Sequence, residues 1–451
     1  MDRRSFVLGS CGLLATSALA SARQPAGGRR PNFIVILCDD LGYGDIGPMG
    51  GRTIRTPNLD RMAAQGMTLT DYYAPANVCT PSRAGLLTGR YPVRTGLGYQ
   101  VILQNDARGL PLSETTMFEA LKPDYATALI GKWHLGHVPP AWPPTQHGID
   151  LFYGIPYSHD MTPLSLFESQ GPGRALTQSP VDLPMLQQQF YARAERFIED
   201  NQKRPFLLEL ALSAPHLPEH PNPAFRDRSD AAAYGDVVEE IDALVGRLTA
   251  KLNRLGLARD TLVLFTSDNG PWFEGSAGPL RQRKGGGGYD GGYRVPCLAW
   301  QPGVVPAGRR SDAIAMGIDF LPTFCAMAGK PLSSAPIDGR DLTGVLTRNE
   351  ASPHDQLVLF DNEDPVAIRT QRWKFVSNDY YRGRLFPTDE KYPQLYDVQH
   401  DASESYSVAN RHAEVLADMR ARLKRARADF APFKSSQIPA AFQRSASTHQ
   451  D

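Results

Sequence analysis

The stretch CTPSR at residues 79–83 places a cysteine close to a proline and an arginine, and it has clear chemical potential. Thr80 and Pro81 suit the cap and the first turn of a helix. A thiol at a helix N-terminus beside an arginine has a lowered pKa and is reactive. The free amide groups of that terminus, together with Arg83, favour a bound anion. The stretch predicts an anion pocket with Cys79 at its centre, and the alternative is an inert, half-buried thiol.

Two acidic pairs follow apolar runs that are typical of buried strands. Asp39 and Asp40 follow the run FIVILC, and Asp268 and Asn269 follow the run TLVLFTS. In open α/β sheets the carboxyl ends of the strands meet, and ligands bind there. Three carboxylates and an amide at one point call for a cation, and their oxygen donors favour calcium before magnesium. The pattern predicts a calcium site, and the alternative is that these are turn and helix-cap residues.

The elements that position these residues indicate an α/β fold with a mostly parallel sheet. Apolar runs predict parallel strands buried on both faces, at residues 33–38, 206–212 and 261–266. A helix is expected after Thr56 as its cap, with Pro57 in the first turn and Gly66 as its end. A longer amphipathic helix is expected at 237–255, closed by Gly256.

The chain of 451 residues is long enough for a large and a small folded part. Residues 30–350 carry the α/β pattern and are the predicted catalytic domain. Short strand patterns and a final helix predict a smaller α+β subdomain with an antiparallel sheet at residues 352–432. Residues 433–451 are polar and are predicted to form a flexible tail.

Residues 1–22 have the features of an export signal peptide. Arg3 and Arg4 precede an apolar stretch that ends in a small-residue cleavage site. The arginine pair predicts the twin-arginine route, and an ordinary secretory signal is the alternative. The apolar stretch is too short for a membrane span. We therefore expect a periplasmic or secreted protein with no membrane span.

The composition bears on partners and on the state of the cysteines. The chain has 48 basic and 48 acidic residues, which argues against nucleic acid or a membrane surface as the main partner. Besides Cys79, the cysteines expected in the mature chain are Cys38, Cys297 and Cys325, all in apolar segments. We expect small buried hydrophobic residues there, with a Cys297–Cys325 disulfide as the alternative.

Several motifs together resemble the type I sulfatase family. CTPSR followed by AGLLTGRYPVRTG is similar to the first sulfatase signature, Cys-x-Pro-x-Arg, and DYATALIGKWHLG is similar to the second. DDLGYGD, TSDNGP and LYDVQHD match the family pattern in order, so the similarity spans about residues 32–410. YGIPYSHDM is most similar to arylsulfatase A-like members. The resemblance implies a large, mostly parallel or mixed sheet sandwiched by helices, and hydrolysis of sulfate monoesters.

The resemblance also implies that Cys79 is a precursor. In this family the cysteine of the pentapeptide is oxidised to Cα-formylglycine by a formylglycine-generating enzyme. The hydrated aldehyde carries two hydroxyls on one carbon: one attacks the sulfur, and deprotonation of the other expels sulfate. A serine would be left as a stable sulfate ester. The implied partners are this maturation enzyme and a small-molecule or glycan sulfate ester.

The other site residues are carried over from the family by position. Arg83 and the cation hold the oxygens of the hydrate, Lys132 and His134 contact the formylglycine, and His134 is the base of the elimination step. His216 matches the histidine at the leaving oxygen, where it serves as general acid. The matches to the calcium ligands are Asp39, Asp40, Asp268, Asn269 and the modified residue 79.

Two further matches concern the sulfate group, and each has an alternative nearby. Ser158 matches a sulfate-contacting serine, with His159 as its rival, and His220 is the rival of His216. Lys284 matches a sulfate-binding lysine, but KGGGGYDGG contains one residue more than the family spacing, so Arg283 is the substitute.

Two other functions are compatible with these residues. The same formylglycine site would serve for hydrolysis of phosphate or phosphonate monoesters, because the two tetrahedral anions are similar in size. A protein that never acquires the aldehyde would instead bind sulfated glycans. Loops at residues 161–184 and 377–393 are expected to wall the pocket.

Overall fold

The computed structural model describes residues 30–333, 335–381, 384–389 and 391–435. The predicted signal peptide and the part of the predicted tail from residue 436 onward lie outside the described residues. Within the described ranges, no helix combines the length and the apolar character needed to cross a bilayer.

The first part of the chain alternates strands and helices. Its strands are β1 (Asn32–Asp39), β2 (Met67–Leu69), β3 (Tyr72–Tyr73), β4 (Ala126–Lys132), β5 (Leu151–Ile155), β6 (Leu166–Ser169), β7 (Thr177–Ser179), β8 (Phe206–Pro215), β9 (Thr261–Ser267), β10 (Cys297–Trp300), β11 (Arg309–Ser311) and β12 (Ala315–Met316). Its helices are α1 (Pro57–Gln65), α2 (Cys79–Thr88), α3 (Met117–Leu121), α4 (Leu186–Asp200), α5 (Ala232–Arg254), α6 (Asp290–Tyr293), α7 (Phe320–Ala328) and α8 (Thr343–Arg348). The three predicted buried strands correspond to β1, β8 and β9.

Ten of these strands form one mixed sheet in the order β11-β2-β10-β9-β1-β8-β4-β5-β6-β7. The central strands β9, β1, β8, β4 and β5 are parallel, and antiparallel strands flank them on both sides. The expected large parallel or mixed sheet is therefore confirmed. Parallel strands place their carboxyl ends along one edge, which is where the predicted site residues lie.

Helices cover both faces of the large sheet. Along β1, Ile34 and Ile36 pack in one apolar core, whereas Phe33 and Val35 pack in the other, as the two-residue period of a strand requires. The first core includes residues of α1, α4 and α5, and the second includes residues of α2, α3 and α7. The strands are apolar on both faces because both faces are covered.

The C-terminal part contains a separate antiparallel sheet. Its strands are β13 (Leu357–Asp361), β14 (Asp364–Arg369), β15 (Trp373–Val376) and β18 (Gln394–Asp397), paired in that order, and β16 (Asn378–Tyr381) pairs with β17 (Arg384–Pro387). The helix α9 (Ala413–Phe430) packs against β14 and β15. A third apolar core joins this sheet to Tyr73 and Tyr293 of the first part. The predicted antiparallel sheet is present, while the exact domain boundaries remain a prediction.

The cysteines outside the pentapeptide that the structure describes are buried and unpaired. Cys38, Cys297 and Cys325 are free, and each is at most 1% exposed. The alternative of a Cys297–Cys325 disulfide is therefore not realised in this structure, and the three side chains serve as small apolar residues.

Candidate active site

The acidic pairs after β1 and β9 lie side by side at the carboxyl edge of the sheet. Cys38 of β1 is in register with Ser267 of β9, and the amide of Asp268 donates to the carbonyl of Cys38 at 3.0 Å. Asp40 has a positive φ of 67°, a conformation that non-glycine residues rarely adopt and that is common at functional sites. Its amide donates to Oδ1 of Asp268 at 3.2 Å. The two strand ends thus bring the predicted cation ligands together.

Cys79 is the first residue of α2, one position before the predicted start of the helix. Val78 occupies the cap position with an extended backbone, and Gly89 ends the helix in the left-handed region. Thr80 does not cap the helix: its hydroxyl donates to the carbonyl of His134 at 2.9 Å and accepts from the amide of Ile102 at 3.0 Å. The side chain of Thr80 therefore ties the start of α2 to the segment that carries His134.

The encoded side chain of Cys79 is not the reactive thiol that the sequence pattern predicts. Cys79 is only 1% exposed, and burial raises the pKa of its thiol despite the opposing effect of Lys132 and Lys284. Burial penalises the thiolate because it removes the charge from water. The side chain is accordingly a neutral thiol at neutral pH and a poor nucleophile in its encoded form.

The thiol lies among carboxylates and a lysine. Sγ of Cys79 is 3.4 Å from Oδ1 of Asp39 and 3.9 Å from Oδ1 of Asp40. Nζ of Lys284 is 3.4 Å from the same sulfur and 2.7 Å from Oδ2 of Asp40. Cys79 therefore occupies the centre of a charged cluster, as the sequence pattern indicates.

Two further cations lie beneath this cluster. Arg83, one turn along α2, donates through Nε to Oδ2 of Asp268 at 2.9 Å and through one terminal nitrogen to the carbonyl of Lys132 at 3.0 Å. Lys132 is fully buried at the end of β4, and its Nζ lies 2.6 Å from Oδ2 of Asp39. Burial opposes the charge of Asp39, but Lys132, His216 and Arg83 hold the pKa of its carboxyl well below the usual range.

A glycine-rich turn brings Lys284 to the site. Gly285 donates its amide to the carbonyl of Asn77 at 2.9 Å, and Nδ2 of Asn77 donates to the carbonyl of Gly287 at 3.1 Å. Both glycines have positive φ, so the extra residue in this loop is accommodated by backbone that glycine adopts without strain. Arg283 points elsewhere and donates to the carbonyl of Trp272 at 2.9 Å. The geometry therefore favours Lys284 over Arg283 as the cation beside Cys79.

His134 has one ring nitrogen bound and one free. Nε2 lies 2.9 Å from the carbonyl of Ile102, and because a carbonyl only accepts, this nitrogen carries the hydrogen. Nδ1 is buried and has no hydrogen-bond partner among the described residues. Burial, together with Lys132 and Arg83, holds the pKa of His134 well below the usual histidine value. The imidazole is thus neutral near pH 7, with a free lone pair on Nδ1.

His216 follows β8 and faces the cluster through Nε2. Its Nδ1 donates to the carbonyl of Leu217 at 2.6 Å, and its Nε2 lies 3.7 Å from Oδ2 of Asp40. His159 donates through Nε2 to the carbonyl of Pro218 at 2.9 Å, and its ring centroid is 5.7 Å from that of His216. His220 contacts the ring of His159 at the same centroid distance. Of His216 and its rival His220, His216 is the histidine whose ring nitrogen lies near the carboxylates.

Ser158 is almost fully buried, and within the described part of the chain its hydroxyl has no hydrogen-bond partner. It lies beyond the end of β5, next to His159, at the edge of the sheet that carries Lys132 and His134. A buried hydroxyl without a partner is unfavourable unless it meets a ligand or water. This hydroxyl is therefore free to contact an oxyanion.

The residues present fit a hard divalent cation. Asp39, Asp40, Cys79 and His216 each offer a ligand atom, and these atoms lie within 4.8 Å of one another. Oδ1 of Asn269 is buried without a hydrogen-bond partner, while its Nδ2 donates to Oδ1 of Asp40 at 2.7 Å. An orphaned carbonyl-type oxygen beside two carboxylates is the donor chemistry that Ca²⁺ and Mg²⁺ prefer. The carboxylate of Asp268 is held by Arg83 in this structure.

Comparisons with known proteins agree with this arrangement. The Sulfatase family model matches residues 31–330, and the model of the C-terminal region of N-sulphoglucosamine sulphohydrolase matches residues 288–429. Arylsulfatase A of Homo sapiens is 38% identical over 447 residues, covering 88% of this chain and 88% of that protein. The structure of the PsFucS1 sulfatase from Pseudoalteromonas sp. superposes with a TM-score of 0.83 at 28% identity, covering 92% of this chain and 93% of that one. Ps i-CgsB in complex with k-i-k-neocarrahexaose superposes with a TM-score of 0.76 at 28% identity, covering 88% and 92% of the two chains.

The chain belongs to the sulfatase family. It is a sulfuric ester hydrolase, and its reaction is the hydrolysis of sulfate esters. The family also implies a formylglycine and a divalent metal ion, and the cluster around Cys79 is where such an ion fits.

Proposed function

We propose that this sulfatase hydrolyses sulfate monoesters of the arylsulfatase type, with a formylglycine formed from Cys79 and a bound calcium ion. The observation that carries the proposal is the position of Cys79. Its sulfur lies 3.4 Å from Asp39 and 3.4 Å from Lys284, at the N-terminus of α2. A buried neutral thiol interacts only weakly with these charged groups. The two oxygens of a hydrated aldehyde at the same position would be bound by them.

The formylglycine, formed by a dedicated generating enzyme, would supply a geminal diol in which one hydroxyl is the nucleophile and deprotonation of the other releases sulfate. Arg83 and Lys132 keep residue 79 oriented, because both are buried and bonded to the carboxylates around it. Lys284 and Ser158 are the proposed ligands of the sulfate oxygens. Nζ of Lys284 lies beside Cys79, and the buried hydroxyl of Ser158 has no hydrogen-bond partner among the described residues. These donors are in place before the substrate arrives, which is the condition for electrostatic stabilisation of a developing negative charge.

Proton transfer is assigned to two histidines. His134 accepts a proton at Nδ1, because that atom has a free lone pair and the ring is neutral near pH 7. Nδ1 of His216 donates to the carbonyl of Leu217, and Nε2 faces the cluster. The imidazolium form of His216 therefore carries a second hydrogen at Nε2, and this is the proton that passes to the leaving oxygen. The two rings thus serve as base and acid respectively.

Calcium is the proposed cation, held by Asp39, Asp40, Asp268, Asn269 and residue 79, and magnesium is less favoured. When bound, the ion would supply positive charge that lowers the pKa of the diol at residue 79. Three carboxylates and three cationic side chains cancel within this cluster, so a divalent ion leaves it positively charged. That surplus favours a sulfate group and its more negative transition state.

Export to the periplasm or the medium by the twin-arginine route completes the proposal. The twin-arginine route carries folded proteins, and the predicted signal in residues 1–22 supports this assignment. Fractionation of cells that express the full chain tests it, since an Arg3→Lys, Arg4→Lys variant should stay in the cytoplasm.

The test of the proposed function is a comparison of two esters of the same phenol. Wild-type protein should release phenol and inorganic sulfate from 4-nitrophenyl sulfate with a kcat/KM well above that for 4-nitrophenyl phosphate. Cys79→Ala, purified in parallel, should release neither product. Preferential turnover of the phosphate would replace the proposal with phosphate monoester hydrolysis. Binding of sulfated sugars without turnover of any sulfate ester would favour a glycan-binding protein.

A further inference from the structure

Two large aromatic side chains are exposed in the loop between Asn269 and Lys284. Trp272 is 41% exposed and Phe273 is 70% exposed. Their ring centroids are 4.7 Å apart with an interplanar angle of 73°, so the two rings form an L-shaped surface. Adjacent exposed aromatic rings are typical of binding surfaces because their apolar area is left in contact with water. None of the roles assigned above uses this pair, which we call the aromatic platform.

The loop that carries the aromatic platform is bonded to Lys284. The carbonyl of Pro271, adjacent to Trp272, accepts from the amide of Lys284 at 3.0 Å. Nζ of the same lysine is 3.4 Å from Sγ of Cys79. Lys284 therefore links the Pro271–Trp272 peptide, through its amide, to the centre of the site, through its side chain.

The loop that carries the platform is fixed from two sides. Arg283 donates to the carbonyl of Trp272 at 2.9 Å and to that of Gly275 at 2.5 Å. Oδ1 of Asp45 accepts from the amide of Ser276 at 2.9 Å. Two exposed rings on a fixed loop lose little conformational freedom when a ligand binds, which favours affinity. This also gives Arg283 a function, that of positioning the loop, distinct from sulfate contact.

The surroundings of the platform favour an aromatic ligand over a sugar. In the loop sequence PWFEGSAGPL at residues 271–280, Glu274 is the only ionisable residue and Ser276 the only other polar one. A sugar ring carries several hydroxyls that need hydrogen-bond partners, and the side chains of this loop segment supply few of them. A flat aryl ring needs only the two faces that the L-shaped surface provides, one for stacking and one for an edge contact.

We propose that the aromatic platform of Trp272 and Phe273 binds the aromatic leaving group of an aryl sulfate and thereby determines substrate specificity. This inference rests on the proposed function. The platform contributes binding to substrate and transition state alike, so its loss changes KM and leaves kcat nearly unchanged.

The test compares Trp272→Ala, Phe273→Ala and wild-type protein on 4-methylumbelliferyl sulfate and on glucose 6-sulfate. We expect Trp272→Ala to raise KM for the aryl sulfate about tenfold, which corresponds to the loss of a stacked ring, with kcat within about twofold of wild type. KM for glucose 6-sulfate and the inhibition constant of inorganic sulfate should not change, because the sugar has no aromatic ring to stack on the platform and inorganic sulfate has no organic group at all. Tyr406→Ala, which removes an aromatic side chain that is 78% exposed in the C-terminal part, is the matched control and should change no constant.

Two results would overturn this inference. An unchanged KM for the aryl sulfate in both platform variants would show that the rings do not contact substrate. An equal rise in KM for glucose 6-sulfate would assign the platform to sugars. Calorimetry of 4-methylumbelliferyl sulfate with Cys79→Ala and with Cys79→Ala, Trp272→Ala measures the same subsite without turnover. Weaker binding by the second protein supports the platform even where the hydrolysis itself fails, so the two proposals are tested separately.

Discussion

Nζ of Lys284 lies 3.4 Å from Sγ of Cys79 and 2.7 Å from Oδ2 of Asp40, although the glycine-rich loop after it is one residue longer than the family spacing. Burial opposes its charge, but the carboxylates of Asp40 and Asp39 raise the pKa of this lysine well above its usual value. The ammonium group is therefore a permanent positive charge beside the reacting residue. Its neighbour Arg283 instead binds the backbone of the platform loop.

Replacement of Lys284 should weaken both binding and turnover of sulfate. We expect Lys284→Met to lower kcat/KM for 4-nitrophenyl sulfate by about 10²-fold, because a preorganised cation at the developing charge is lost. The inhibition constant of inorganic sulfate should rise in parallel. The control is Lys251→Met, which replaces a lysine of α5 that pairs with Glu199 of α4. It should leave kcat/KM and the sulfate inhibition constant unchanged. An unaltered sulfate inhibition constant in Lys284→Met would remove this residue from the sulfate site.

Removal of the His134 imidazole should suppress turnover. Nδ1 of His134 carries the free lone pair that accepts the proton in our proposal. We therefore expect His134→Ala to lower kcat by about 10²–10⁴-fold. His147 is a matched control: its Nε2 also donates to a carbonyl, that of Ala141 at 3.1 Å, and its Nδ1 is also buried without a partner. His147→Ala should lose stability without a comparable loss of kcat. Similar kcat losses in both variants would reduce His134 to a structural role.

The low pKa of His134 predicts activity at mildly acidic pH. Burial first, then Lys132 and Arg83, keep the folded-state pKa well below the unfolded value of about 6.5. The base thus stays unprotonated as pH falls through about 6, and kcat should decline only at lower pH. A pH profile of kcat at saturating 4-nitrophenyl sulfate tests this, and an acid limb centred near 6.5 would contradict it.

The same group makes stability depend on pH in a known direction. Below about pH 6.5 the unfolded chain binds a proton at His134 that the folded protein rejects. Its contribution to the free energy of unfolding is therefore fully present above that pH and is lost as pH falls toward the folded-state pKa. Denaturant unfolding measures this effect: between pH 7.5 and pH 5.5 the free energy of unfolding should fall less for His134→Gln than for wild type.

Chelation should remove activity and lower thermal stability. Asp39 and Asp40 lie within 4 Å of the same sulfur, and their mutual repulsion is relieved by a cation. We expect prolonged treatment with EGTA to abolish turnover and to lower Tm by roughly 5 °C, because an ion that binds only the folded state stabilises it. Calcium should restore both properties, and magnesium should restore them less well. Full activity after verified removal of divalent metal would exclude the proposed role of the ion.

The sequence predicted the framework of the site because strand ends and short motifs are local features. The apolar runs before Asp39 and Asp268 are buried on both faces, and register alone then brings the two acidic pairs together. Pro57 and Gly66 likewise predicted the ends of α1. The capping hydrogen bonds differ from those expected of Thr56. Its hydroxyl accepts from the amide of Gly47, and the amides at the start of α1 donate to Asp242 of α5 instead.

What the sequence could not predict depends on distant contacts. The pKa of Cys79 is raised because the whole of α2 is buried, which the helix pattern does not reveal. The platform was missed because Trp272 and Phe273 are outside the family motifs. The available signal was two adjacent aromatic residues in a glycine-rich loop between two site residues, a place where no core requires them.

The most direct test of the central claim is the mass of the tryptic peptide of residues 62–83 from protein made in its own host. Conversion of Cys79 to formylglycine predicts a peptide about 18 Da lighter than the encoded sequence, together with reaction of the intact protein with an aldehyde-specific hydrazide. When preparations are compared, kcat should rise in proportion to the fraction of Cys79 that is converted to formylglycine. Fully active protein in which this peptide carries only unmodified cysteine would contradict the account.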